Sequence, residues 1–180
     1  MKNLREGAAI VCFFVKKLEE RDDSIPIGKA RLQKLMYLLQ KEIEEDFEYS
    51  FYYYGPFSIA VAQYIDYAEL HSALDIQYNP DTGFSISTRE EQSKFLALLS
   101  DIERKAIEKI VEKYHNFNAK ELSIIATYLF LKEKFKIENE EKLLQAIKSL
   151  KPNYSEEEIK KVLSRASLLN EVSKTQLSGR

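Results

Sequence analysis

The chain has 180 residues, 44% of them hydrophobic and 31% charged, with a formal net charge of −2. That is enough apolar material for one domain with a modest extension, and 5 Gly and 4 Pro leave little room for long flexible linkers. No apolar run approaches the roughly 18 residues of a membrane span, and a single cysteine, Cys12, excludes an intrachain disulfide and a thiolate metal cluster.

Leu4, Ala8, Val11, Val15 and Leu18 recur at three- and four-residue spacing and predict an amphipathic helix. Glu6, Lys16, Lys17, Glu19 and Glu20 fall on its wet side, and no small-residue cleavage site follows, so the N-terminus does not read as a signal peptide. The lone thiol suits a reducing, cytoplasmic setting. After Pro26, a second helix carries Leu32, Leu35, Met36, Leu39 and Ile43 along one side. Lys29, Arg31, Lys34 and Lys41 lie mainly off that stripe, which predicts a surface helix docked by one face. On this reading the Lys34 stem covers apolar area while its ammonium reaches water.

Residues 48–54 are crowded with Tyr and Phe and predict a strand that Gly55-Pro56 stops. Ser58 is placed to cap a well-buried helix over 58–71, with Ile59, Ala62, Ile65 and Leu70 on its apolar side. Leu74, Ile76 and Tyr78, then Phe84 and Ile86, alternate with polar residues about the turn residues 79–83, which is a β-hairpin pattern. Thr88 with Glu91, or Ser87 with Glu90, would box the start of the next helix, turning Phe95, Leu98 and Leu99 inward.

The remainder reads as helical. Ile102, Ala106, Ile110 and Tyr114 form one stripe, and Asn118 with Glu121 caps a strongly apolar helix bearing Leu122, Ile125 and Leu129. Leu143, Leu144, Ile147 and Leu150 mark a short amphipathic segment. Ser155 with Glu158 caps a last helix whose inward side is Ile159, Val162 and Leu163. The fold class is therefore mainly α with a small β component: a winged-helix-like core followed by a helical C-terminal half. Residues 1–134 form the core and packed helices, 135–171 a helical appendage, and 172–180 a tail without a packing pattern that frays.

Two blocks resemble a known family. Residues 31–42, RLQKLMYLLQKE, and 53–58, YYGPFS, are similar to the uncharacterised YwgA-like proteins and the wider Panacea, or SocA-like, antitoxin domain. Leu32, Gln33, Lys34, Leu35, Tyr37, Tyr54, Gly55 and Pro56 match the family's pattern, and Arg31 stands where its first lysine is usual. Residues 111–128 resemble the family's later capped helix, without the histidine and tryptophan often found there. The resemblance implies neutralisation of a partner toxin, or an adapter role in proteolysis.

Gly55 and Pro56 read first as a structural turn, since glycine reaches unusual dihedrals and proline restricts its neighbours. Tyr53, Tyr54 and Phe57, with Lys34 at the edge, are the candidate contacts for a partner. His71 and His115 each sit at a predicted helix end, and the chain has no HExxH, phosphate loop or dinucleotide fingerprint. The carboxylates lie beside helix ends, so hydrolysis ranks third among the readings. DNA binding is the runner-up, yet residues 48–99 carry two basic and seven acidic side chains, a poor match for phosphates. The helix at 58–71 has no Lys or Arg, so docking through residues 58–87 is disfavoured. The reading is a non-enzymatic protein-interaction or regulatory module, with no cofactor, metal or membrane contact, and it leaves a homodimer open.

Overall fold

A computed structural model describes residues 2–21 and 24–169; the tail expected at 172–180 lies outside the described residues. The fold is mainly α with two separate two-stranded sheets. Two compact units divide the chain, one running to Ala126 and the other from Thr127.

The first unit is built around helix α1 (Leu4–Glu19). Asn3 accepts a hydrogen bond from the Glu6 amide and the Glu6 carboxylate accepts one from the Asn3 amide, a reciprocal cap that starts the helix. The sequence pattern predicted one apolar stripe, but every residue from Gly7 to Val15 is buried. The reason is that Gly7, Ala8, Ala9 and Cys12 are small enough for neighbours to close on the second side. Helix α3 (Ile59–Leu70) does so at Gly7, where a Cβ would stand 2.4 Å from the Tyr64 ring.

Helix α2 (Lys29–Glu42) is also enclosed rather than laid on the surface. Arg31 through Leu39 are all buried, Arg31 at 1% exposure and Lys34 at 3%. The expected solvated ammonium of Lys34 is therefore corrected: it turns inward to a backbone carbonyl. Burial of these polar side chains is tolerable because each finds a hydrogen-bond partner.

Residues 48–54 do not make one strand ended by Gly-Pro. β1 (Ser50–Tyr52) and β2 (Gly55–Phe57) pair antiparallel with Ser50 opposite Phe57 and Tyr52 opposite Gly55. The chain reverses at Tyr53-Tyr54, and Gly55, at φ 93°, supplies the left-handed residue from which the returning strand sets out. Pro56 is tolerated because the sheet has only two strands, leaving it on an edge.

The second hairpin matches expectation. β3 (Leu74–Asn79) and β4 (Gly83–Thr88) pair in register from Leu74 opposite Thr88 to Asn79 opposite Gly83. The Asn79 side chain accepts from the amides of Asp81 and Thr82, and Gly83 takes φ 81°. Neither capping box proposed for the next helix forms. The Thr88 hydroxyl and amide both donate to the Glu19 carboxylate of α1, at 2.6 and 2.9 Å. Helix α4 (Gln92–Leu96) is a short turn that buries Phe95, while Leu98 remains 41% exposed.

A box does form at Ser100 and Glu103, opening helix α5 (Asp101–Tyr114). Its buried side is Ala106, Ile107, Ile110, Val111 and Tyr114; Ile102, expected inside, is 72% exposed. Helix α6 (Ala119–Lys134) starts with the expected reciprocal bonds between Asn118 and Glu121. In the second unit, helices α7 (Glu140–Leu150) and α8 (Glu156–Arg165) pack together. They bury Leu143, Leu144, Ile147, Ile159, Val162 and Leu163, and the Ser155–Glu158 box is present. Among the described residues no helix is long and apolar enough to cross a membrane.

The tight approach of α1 and α3 is testable. Gly7→Ala forces the Tyr64 ring away and strains its 3.0 Å hydroxyl bond to the Lys2 carbonyl. Overpacking of this kind costs about 1–3 kcal/mol, which urea denaturation will read as a lower midpoint at unchanged slope.

Candidate functional site

The buried polar side chains of α2 hold the loops around them. Arg31 donates to the carbonyl of Ile25 at 2.9 Å and to that of His115. Gln33 uses both ends of its amide on Ser58, donating to its carbonyl at 2.8 Å and accepting from its N–H at 3.1 Å. Lys34 donates to the Pro56 carbonyl at 2.7 Å. In return the Gln33 carbonyl accepts the Tyr49 hydroxyl at 2.6 Å. Burial pushes the Tyr49 phenol well above its ordinary pKa, so it stays protonated and donating. Its ring meets Tyr37 edge-on, with centroids 5.1 Å apart. The 31–34 and 53–58 blocks of the sequence are thus one interlocked piece.

Ser58 closes the join. Its hydroxyl donates to the Phe47 carbonyl and accepts from the Val61 amide at 3.1 Å, capping α3. Ser123 of α6 donates to the Tyr54 carbonyl, pinning the hairpin turn from the other side. A two-stranded hairpin is marginal by itself; this one is held at Tyr54, Pro56 and Ser58.

Beside it lies a groove of about 390 Å³. Tyr52, Tyr54 and Phe57 form one wall, Ala62 and Ile65 of α3 another, and Phe84 of β4 closes one end. Lys34 and Gln33 lie along α2, with their polar atoms turned to Pro56 and Ser58. Lys29 and Asp66 form an ion pair of 3.0 Å at the margin, and the Lys29 ammonium also sits 5.2 Å from the Phe84 ring centroid. A hollow of about 490 Å³ shares Lys29 and Phe84 as its wall and runs toward the first turn of α6. The smaller groove is the candidate site because aromatic walls enclose it.

Of the predicted contacts, Lys34, Tyr54 and Phe57 meet at this groove, with Gly55 beneath them. Tyr53 stands on the turn outside it at 83% exposure, its ring edge-on to Tyr52 at 5.1 Å. Tyr54 is 78% exposed. Tyr53 and Tyr54 are turn residues and not members of the strand expected over 48–54. Sequence reasoning missed Phe84, read only as part of the hairpin's alternation, and Ala62, placed on the apolar side of its helix; the available signal was that Phe84 directly follows a tight turn, where side chains reach the surface.

The histidines behave as helix-end residues. His71 is the C-cap of α3 and its ring meets that of Tyr67 at a tilt, with centroids 4.3 Å apart, and His115 is the C-cap of α5. Among the described residues no group of three or more His, Cys, Asp or Glu is arranged to hold a metal ion. Cys12 is fully buried, which pushes its thiol up to about 12.

Two measurements check this arrangement. Gln33→Leu leaves the buried Ser58 amide without its acceptor, so stability falls by about 1–3 kcal/mol and amide exchange at Ser58 accelerates. Native protein leaves Cys12 unreactive toward Ellman's reagent, with full reaction in concentrated guanidinium chloride; rapid native labelling is the opposing result.

No protein-family model matches the sequence, and no curated protein matches it.

Proposed function

We propose that the chain is a protein-interaction module whose tyrosine turn and adjoining groove dock a segment of another polypeptide. One observation carries this reading: Tyr52, Tyr53 and Tyr54 are 58%, 83% and 78% exposed on a turn that buried side chains of α2 fasten in place. Rigid exposed tyrosines lose little conformational entropy on binding and offer both a ring face and a hydroxyl. The groove beside them is apolar, and its Gln33 and Lys34 already serve the protein's own backbone, which suits side-chain burial better than bond-making chemistry. Resemblance to the antitoxin domain makes a toxin, or a client handed to a protease, the natural partner of a cytoplasmic module.

We read the core as winged-helix-like, since α3 is followed directly by the β3–β4 hairpin. The DNA reading draws on that order, but α3 presents Gln63, Asp66 and Glu69 to solvent and contains no lysine or arginine. Phosphates would be repelled there.

The test uses Tyr53→Ser and Tyr54→Ser separately, with affinity capture from the native cell. Exposed positions leave stability within about 0.5 kcal/mol, while recovery of the partner falls about ten-fold or more. Unchanged capture by both variants overturns the proposal. So does strong binding of the wild type to random-sequence DNA that weakens steeply with salt.

A further inference from the structure

Resting on that docking reading, we infer that the groove selects a polypeptide segment whose apolar anchor is flanked by lysine or arginine, and that Lys29 is the internal placeholder for the flanking cation. From Glu42 through Thr88 the chain has nine carboxylates and no lysine or arginine. This stretch supplies the hairpin β1–β2, helix α3 and the hairpin β3–β4, so every groove wall except α2 comes from it. Lys109 and Arg89 pair with Glu42 and Asp75, and Asp66 is the one carboxylate among the described residues that line the groove. What remains of the stretch's acidic excess acts at longer range, steering a basic segment toward this side of the molecule in preference to an acidic one.

The local geometry shows how such a cation is held. The Lys29 ammonium rests 3.0 Å from the Asp66 carboxylate and 5.2 Å from the Phe84 ring centroid. Carboxylate and aromatic face together form a corner that already holds an ammonium group. Its two charged members are solvated, with Lys29 side-chain exposure at 36% and Asp66 at 63%, so the pair is weak and open to exchange. A partner's lysine or arginine restores both contacts as Lys29 swings into water, and no charge is stranded. Arginine adds stacking on the exposed rings of Tyr52 and Tyr54. Lys34 also lines the groove and keeps its charge, so the preference for a cation is local to the corner made by Asp66 and Phe84.

The test selects a random peptide library displayed on phage against the full chain, and in parallel against a Tyr52→Ser/Tyr54→Ser variant. Peptides enriched by the wild type alone should carry an apolar residue with lysine or arginine beside it. For the most enriched peptide, measured by fluorescence anisotropy, replacing its basic residues with glutamine weakens binding about five-fold. Asp66→Asn in the protein weakens the original peptide by a similar factor, and the two losses do not add. Lys29→Met tightens it. If enriched peptides need the tyrosines but show no basic excess, or if their cations do not couple to Asp66, this inference fails and the docking reading stands. If nothing is enriched, or the double tyrosine variant binds equally well, both fail.

Discussion

Everything around the candidate site depends on a row of buried donors along α2. Arg31, Gln33 and Lys34 point where a helix packed on both sides would ordinarily carry leucine or valine, and they end on carbonyls of Ile25, His115, Ser58 and Pro56. A guanidinium or ammonium taken from water loses several kcal/mol of solvation, and a charge-assisted hydrogen bond returns roughly 1.5–3 kcal/mol. The row therefore adds little net stability. What it adds is definition: a loop that moved away would leave a buried charge without its acceptor, and that arrangement is far more costly than either the folded or the solvated one. Helix α2 thereby acts as the template on which the irregular segments are positioned.

That constraint shapes the groove. Its polar side chains are consumed in holding the hairpin, so what remains to face an occupant is aromatic and aliphatic surface, edged by the Lys29–Asp66 pair. The walls come from α2, the β1–β2 hairpin, α3 and β4, and the hairpin is tied to α2 by specific bonds. A surface held this way changes little on binding, and its affinity is not diminished by ordering a loose loop.

How far the sequence disclosed this can be judged residue by residue. The β3–β4 hairpin was legible because Asn79 and Gly83 do local turn chemistry, which needs no tertiary partner. The caps at Asn118 and Ser155 were legible for the same reason. Burial of Arg31 and Lys34 was not, since a charged residue beside an apolar stripe looks solvated until the loop carbonyl opposite it is known. The central role of α1 was hidden by Gly7, Ala8 and Ala9, whose small size reads as neutral although it admits close neighbours. Gly55-Pro56 looked like a stop because proline ends most strands; only an isolated two-stranded pairing lets it lie within one. Of the expected contacts Lys34, Tyr53, Tyr54 and Phe57, all but Tyr53 line the groove, brought together through the Lys34–Pro56 bond, while Phe84 arrives from a distant hairpin that no local pattern links to them.

The tyrosines themselves separate into two kinds by what their hydroxyls do. Tyr49 donates to Gln33, Tyr64 to Lys2 and Tyr128 to Leu168, so each ties its ring to a particular backbone atom. Among the described residues none accepts a hydrogen bond from Tyr52, Tyr53 or Tyr54, and all three rings stand largely in water. A strand of the usual alternating kind would have hidden one face of them. Reversal at Tyr53-Tyr54 instead puts the whole run outside, while the backbone beneath is fixed by Lys34 and Ser123. The fold thus spends its buried donors on orienting aromatic side chains that contribute little to its own core, which is the opposite of what packing alone would select.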